Sequence, residues 1–258
     1  MIFELKKLFS FFVKKETTIL WLSVVFFFVS SPFEISAQKK FSKSYPASKN
    51  VRLILTNRTG TVTVEGWDKP EVKISAFMET SATNIAPQNL SGTIQINLVK
   101  DNQGINGVGS VNFIIKVPYF SSVNIETMMG NLNVTNVRGG HVRAHITTDG
   151  DITLTNISAE NVVAENGMGD IFFDGEIHSG GTYRFTTTSG NINLHIPSNS
   201  SFRLVATAPS TRNISLGAFS GANMNFISNG RRVVGTVGDG SATMTVTSQR
   251  KGISFIRR

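Results

Sequence analysis

A short motif that returns about every twenty residues constrains the fold of this chain more than any other feature. Four glycines in the second half of the sequence are separated by 20, 19 and 21 residues, and each precedes Asn or Asp. The four pairs are Gly130 with Asn131, Gly150 with Asp151, Gly169 with Asp170, and Gly190 with Asn191. A fixed period of this length is typical of stacked repeats, in which each repeat contacts only its neighbours.

Alternating apolar residues flank every copy of the motif. An apolar-x-apolar triplet follows each glycine, and a second short strand pattern precedes it. This predicts an all-β fold, a single-chain β-solenoid whose rungs of about 20 residues stack roughly 4.8 Å apart, and we expect a right-handed coil. Three inward columns follow from the alignment: Leu132, Ile152, Ile171 and Ile192; Val134, Leu154, Phe173 and Leu194; and Val137, Ile157 and Ile177.

The glycine pairs are predicted to be structural turn residues. Glycine permits the positive φ that a tight corner needs, and a neighbouring Asn or Asp can hydrogen-bond its own turn backbone. A fifth copy starts at Phe202 and has Arg212 in place of the glycine. A degenerate sixth copy follows, with Gly252 in its turn.

The preceding segment, residues 51–117, also alternates with a period of two. Turn residues such as Thr59 and Gly60 separate its strands, which favours antiparallel strands and hairpins. We therefore expect a linker over 38–50, hairpins over 51–117, and solenoid repeats over 118–258 that continue from them.

The N-terminal 37 residues have the composition of a targeting segment. Lys6, Lys7, Lys14 and Lys15 precede the apolar run "ILWLSVVFFFV", and "ISA" ends at Ala37. This predicts a signal peptide with Gln38 as the mature start, or else an uncleaved anchor. The protein would then be exported to the periplasm, the cell surface or the medium. It has no cysteine, so packing and backbone hydrogen bonds must hold it together without disulfides.

The stretch "NRTGTVTVEGWDKPEVKISA", followed by "VP" and the repeated turns, resembles a known family. That family is the bacterial putative-adhesin family of exported β-strand-repeat proteins, whose relatives include the head GIN domain. Gly60, Val64, Gly66, Trp67 and Asp68 carry the first part of the resemblance. It implies an exported β-solenoid and brings no catalytic residues.

Residues that could support chemistry are few and scattered. His141 and His145 would lie on one strand face roughly 13 Å apart, and the other histidines, His178 and His195, lie far from them in the sequence. Asp151 and Asp170 occupy equivalent turn positions and are the weak candidates for a cation such as Ca²⁺. Ordinary turn residues are the alternative that we favour. We expect no catalytic residue, no cofactor and no metal site.

Charge and composition leave three hypotheses for function. The net charge is +8, and without residues 1–37 there are 21 basic against 14 acidic residues. The basic residues are dispersed, which argues against nucleic acid and leaves an envelope glycan, a lipid surface or a protein as partner. The leading hypothesis is a non-enzymatic, adhesin-like envelope protein. The alternatives are a polysaccharide lyase or hydrolase that uses Asp151 and Asp170, and a structural or sensory envelope component. The oligomeric state stays open.

Overall fold

Strands are the main secondary structure of the residues that the structure describes. The computed structural model describes residues 39–221, 223–227 and 229–258, so the expected signal peptide lies outside the described residues. The first ten strands are β1 (Lys39–Pro46), β2 (Arg52–Thr59), β3 (Val62–Trp67), β4 (Glu71–Met78), β5 (Gln88–Leu90), β6 (Thr93–Asn97), β7 (Val111–Pro118), β8 (Ser122–Met129), β9 (Leu132–Thr135) and β10 (His141–Asp149). The others are β11 (Ile152–Ile157), β12 (Asn161–Met168), β13 (Ile171–Gly175), β14 (Thr182–Ser189), β15 (Ile192–Ile196), β16 (Phe202–Thr207), β17 (Ile214–Ser215), β18 (Asn223–Ile227), β19 (Arg232–Val237), β20 (Ala242–Ser248) and β21 (Ile253–Arg257).

One short α-helix interrupts the strands of the described part, α1 (Leu98–Asp101), together with two 3-10 turns at Thr211–Asn213 and Gly217–Phe219. Within the described residues no helix is long and apolar enough to cross a membrane.

The strands form two sheets. Sheet A has ten strands in the order β1-β4-β7-β3-β9-β11-β13-β15-β21-β17, and sheet B has eleven in the order β18-β19-β16-β20-β14-β12-β10-β8-β2-β6-β5. Each rung gives one strand to each sheet, and strands of adjacent rungs pair in parallel. The predicted β-solenoid is therefore confirmed, while the handedness of its coil stays a prediction.

The rungs do not stack in chain order at either end. The stacking order is β6/β7, β2/β3, β8/β9, β10/β11, β12/β13, β14/β15, β20/β21 and β16/β17. The sixth copy, not the fifth, therefore packs on the fourth. Its Ile253 and Phe255 are in register with Ile192 and Leu194, whereas the fifth copy forms only the two-residue strand β17 in sheet A. The first and last rungs of the chain thus each lie between two others.

The predicted hairpin at Thr59 and Gly60 is wrong. Strand β2 lies in sheet B and β3 in sheet A, so Gly60 is the corner of a further solenoid rung. The period-two pattern is the same for a hairpin and for a rung, and it cannot separate the two. Antiparallel pairs do occur nearby, between β4 and β7 and between β5 and β6.

The segment that we expected to be a linker forms part of sheet A. Strand β1 pairs antiparallel with β4 along its whole length, and Tyr45 is buried there. Lys39, Lys40 and Lys43 lie on this outermost strand. Charged lysines on an edge strand disfavour pairing with another chain.

Columns of apolar side chains fill the space between the sheets. The first two predicted columns are in register and buried, and the first continues to Val62 at one end and Ile253 at the other. Aromatic rings join the sheets, with the centroids of Phe173 and Phe185 5.0 Å apart. The third column differs, because Gly175 is in register with Ile157 and Ile177 is only partly buried. Full burial of each such side chain contributes about 1.5–3 kcal/mol.

A buried polar column lies beside the corner glycines. The Asn166 side-chain amide donates to the Gly150 carbonyl at 2.7 Å, and the Thr187 hydroxyl donates to the Gly169 carbonyl at 3.1 Å. The hydroxyl of Ser248 donates to the Gly190 carbonyl at 2.8 Å. Each of these corner carbonyls is therefore bonded by a side chain of the adjoining rung.

Close stacking explains the corner glycines better than φ alone. Gly150 has the expected positive φ of 144°, but Gly190 lies outside the positive-φ region, so that expectation is wrong for Gly190. A Cβ at Gly190 would overlap the carbonyl of Gly169, and one at Gly150 would overlap the carbonyl of Gly130. The corners approach one another so closely that a side chain has no room.

Gly190→Ala is expected to lower the free energy of unfolding by about 1–3 kcal/mol, because the added methyl group would overlap the Gly169 carbonyl. Urea denaturation followed by circular dichroism measures the change. Gly140→Ala is the matched control, since a Cβ there has no heavy atom within 4 Å. Equal midpoints for the two variants would show that the corners do not limit the stacking.

Candidate functional site

The predicted turn residues form a hydrogen-bonded ladder along one corner of the stack. The Asn131 Oδ1 accepts the backbone N–H of Asp151 at 2.9 Å, and Asp151 Oδ1 accepts that of Asp170 at 2.8 Å. Asp170 Oδ1 accepts the N–H of Asn191 at 2.7 Å, and Asn191 Oδ1 accepts that of Gly252 at 3.3 Å. Each side chain therefore bonds the next rung, whereas we expected it to bond its own turn.

Asp151 and Asp170, the two weak candidates for a cation site, have a structural role in this ladder. One oxygen of Asp151 and one of Asp170 are already acceptors for backbone N–H groups. The side-chain amide nitrogen of Asn191, Nδ2, also lies 3.4 Å from Asp170 Oδ1. Among the described residues, no group of three or more potential metal ligands comes together.

The scattered histidines have separate surroundings. His141 and His145 both lie on the outer face of β10, and His145 Nδ1 lies 3.3 Å from Glu165 Oε2. The guanidinium of Arg143 lies 3.2 Å from that same oxygen. His178 Nε2 lies 2.9 Å from Ser158 Oγ, and the ring of His195 packs edge-on against Phe172 at 4.9 Å. Asp174 pairs with Arg258 at 3.2 Å.

A surface that the repeats do not predict lies at the opposite corner. It is centred on the turn between β7 and β8, where the side chain of Phe120 is 54% exposed. The N–H of Ser121 donates to the Pro118 carbonyl at 3.0 Å, which closes the turn. The next rung packs closely below, since a Cβ at Gly139 would overlap the carbonyl of Ser121.

Neighbouring segments fix this turn on both sides. The N–H of Tyr119 donates to the Trp67 carbonyl at 3.0 Å, and the N–H of Arg138 donates to the Tyr119 carbonyl at 2.7 Å. The N–H of Ser122 donates to the Val51 carbonyl at 2.8 Å. Backbone hydrogen bonds to three different segments therefore fix the turn that carries the exposed Phe120 side chain.

Two other aromatic rings lie near this turn, those of Trp67 and Tyr119, and cationic side chains lie over both. The Lys69 and Lys116 ammonium groups lie 5.1 and 5.6 Å from the Trp67 ring centroid. The guanidinium of Arg138 lies 4.9 Å from the centroid of Tyr119. The Trp67 Nε1 donates to the Glu71 carbonyl at 2.8 Å, which orients the indole.

Three adjoining depressions form a groove around Phe120. One of about 710 Å³ is lined by residues that include Arg52, Ser122 and His141, and Phe120 divides it from a second of about 290 Å³ beside Trp67. The second shares Lys69 and Pro70 with a third of about 460 Å³. We call these three depressions the Phe120 groove.

The Phe120 groove is positively charged at neutral pH. Lys49, Arg52 and Lys69 line it, against the two carboxylates of Asp68 and Glu71. Burial lowers the pKa of His141, and the charges of Arg52 and Arg143 lower this pKa further. His141 is therefore neutral at pH 7, and the charge comes from the lysines and Arg52.

Sequence reasoning found only part of this groove. Trp67 and Asp68 were singled out because they carry the family resemblance, but Tyr119, Phe120 and Arg52 were not. The available signal was the run "PYF", which places two aromatic residues directly after a strand that ends in proline. Large apolar residues in a turn, outside the alternating pattern, indicate an exposed patch.

Asp170→Ala is expected to lower the free energy of unfolding by about 0.5–1.5 kcal/mol, because the N–H of Asn191 loses its acceptor. Asp170→Asn keeps an oxygen at that position and should unfold close to wild type. Urea denaturation compares the three proteins. If Ca²⁺ raised the melting temperature of the wild type and Asp170→Asn abolished that rise, the carboxylate would be a cation ligand instead.

Several solved structures are similar to this chain at low sequence identity. A putative cell adhesion protein from Clostridium sporogenes is 12% identical with a TM-score of 0.45, over 86% of this chain and 100% of that one. A putative adhesin from Bacteroides fragilis is 9% identical with a TM-score of 0.39, over 86% and 99%. A putative lipid binding protein from Parabacteroides distasonis is 12% identical with a TM-score of 0.35, over 86% and 98%. No curated protein matches the chain in sequence.

The family model described as Toastrack DUF4097 matches residues 23–250, which is most of the chain. This match confirms the resemblance that the corner motifs and the "EGWDKP" stretch indicated. With a stacked two-sheet solenoid and a match of this length, the chain belongs to the Toastrack DUF4097 family.

Proposed function

We propose that this protein is an exported, non-enzymatic binding protein with an adhesin-like role, which attaches to envelope or extracellular material through the Phe120 groove. The observation that carries the proposal is the exposed Phe120 side chain, held between two depressions by a turn that three segments fix. Exposed aromatic residues in a preorganised site bind with a small loss of conformational entropy.

The position of the carboxylates supports binding rather than catalysis. Asp151 and Asp170 lie at the glycine corner, where the strands of sheet B end. The Phe120 groove lies where those strands begin, at Arg52, Ser122 and His141. Eight-residue strands separate the two corners by roughly 25 Å, so these aspartates cannot act on a ligand in the groove.

The start of the compact part supports export. The unit Gln38–Arg258 is compact by itself, and its first residue is the one that cleavage after Ala37 would expose. Strand β1 begins at Lys39, directly after that point. Removal of residues 1–37 would therefore leave every strand of the two sheets intact.

Expression of the full-length chain in a bacterium should give an extracytoplasmic product whose first residue is Gln38. The small side chain of Ala37 fits a signal peptidase site, and Ala37→Arg should block cleavage. Cell fractionation, intact-mass spectrometry and N-terminal sequencing measure both effects. A wild-type chain that keeps its N-terminus and stays in the cytoplasm would contradict export.

Phe120→Ala should reduce binding of the chain to purified bacterial envelopes at least tenfold, because a central exposed aromatic residue is typical of a binding hot spot. Co-sedimentation with envelopes at physiological salt measures it. The matched control is Phe226→Ala, since Phe226 is 59% exposed on β18 at the far end of sheet B.

Two results would contradict this function. Wild-type chain that stays in the supernatant with every envelope preparation would remove the binding role. Equal loss of binding in Phe120→Ala and Phe226→Ala would show that general surface hydrophobicity, and not the groove, is responsible.

A further inference from the structure

The geometry points to an acidic polysaccharide as the ligand of the Phe120 groove. This inference rests on the proposed binding function and names the chemistry of the ligand. Charge, aromatic surface, hydrogen-bonding groups and the shape of the groove each support it.

The cations of the groove are not neutralised by the protein. Lys49, Arg52 and Lys69 form no ion pair within the described residues, unlike Lys116, which lies 2.9 Å from Glu65, and Arg143, which lies 3.2 Å from Glu165. Unpaired cations that line a concave surface attract anions, and this attraction becomes stronger when a ligand displaces water. A carboxylate or sulfate on the ligand would provide the missing partner.

Aromatic residues line the same depressions as these cations. Phe120 forms the boundary of two depressions, and Trp67 and Tyr119 line the smaller one. The C–H face of a sugar ring is apolar and flat enough to pack on an aromatic ring, while its edge stays polar. A simple inorganic anion would use the cations and leave the aromatic surface exposed to water.

Small polar side chains complete the larger depression. Ser48, Asn50, Ser91 and Ser122 line it together with Arg52. Hydroxyl and amide groups both donate and accept hydrogen bonds, which suits the hydroxyl groups of a sugar. A depression of this kind combines an apolar surface with a few polar groups that orient a ligand.

The shape of the groove favours a polymer. The three depressions follow one another through the shared residues Phe120, Lys69 and Pro70, and all three are open to solvent. A single sugar would occupy only one of them. A chain of linked acidic sugars can place successive carboxylates against Arg52, Lys49 and Lys69.

The test measures binding of the full-length chain to polygalacturonate, to carboxyl-reduced polygalacturonate and to dextran by isothermal titration calorimetry. We expect binding to polygalacturonate alone. This binding should weaken as sodium chloride rises from about 50 to about 300 mM, because salt screens the charges. Arg52→Gln and Lys49→Gln should each weaken it roughly tenfold, since each removes a charge-assisted contact.

A control removes more positive charge than either groove variant, but away from the groove. Arg250→Gln combined with Lys251→Gln removes two exposed cations at the turn between β20 and β21. This double variant should bind polygalacturonate as the wild type does. Equal weakening in the control and in Arg52→Gln would mean that net charge, and not the groove, attracts the polymer, and would overturn the inference.

Further arms distinguish other anionic ligands. Vesicles of phosphatidylglycerol and phosphatidylcholine, and single-stranded oligothymidylate, carry phosphate without the same sugar hydroxyls. Binding to either that exceeds polygalacturonate binding and falls in Arg52→Gln would overturn the assignment to a polysaccharide. If envelopes bind the wild type but not Phe120→Ala, and polygalacturonate binds neither, the acidic-glycan inference fails while the proposed function stands.

Discussion

Direct contact of backbone with backbone at the glycine corner is the constraint on which the rest of this structure depends. Parallel rungs stay in hydrogen-bonding register only if their corners also stack, and at Gly150 and Gly190 the neighbouring carbonyl leaves no room for a Cβ. The Asp151 and Asp170 side chains then accept hydrogen bonds from backbone N–H groups at the corner of the next rung. Because the corners fix the vertical spacing, the apolar side chains of adjacent rungs align and form one continuous core.

The repeated part of the fold could be predicted because the same physical requirement recurs in every rung. Leu132 and Ile152 occupy the columns that their positions after the glycines indicate. The order of the last rungs could not be predicted, since sequence spacing does not show that β20/β21 inserts between rungs. The rung at Gly60 was missed for a related reason: alternation with a period of two reports one buried face and says nothing about which sheet the next strand joins.

The Phe120 groove was harder to predict because nothing in it repeats. Trp67 ends one strand, Tyr119 and Phe120 form a turn after another, and Arg52 begins a third. Because rung β6/β7 packs outside rung β2/β3, against the order of the chain, strand β2 pairs directly with β8. This departure from sequential stacking therefore places Arg52 beside the turn that leads into β8, whereas in chain order β6 would separate β2 from β8.

The regular part of the solenoid leaves few unpaired groups for a ligand, which favours binding at such an irregular corner. Along the stack, the glycine corner is occupied by its own hydrogen bonds, and the outer-face cation Arg143 is paired with Glu165. Such paired charges offer little to a ligand, because binding must first break the existing pair. At the Phe120 turn the chain leaves the repeat, and Lys49, Arg52 and Lys69 form no ion pair within the described residues. An anionic ligand there gains electrostatic energy without breaking an ion pair, on a surface that the stacked rungs beneath keep rigid.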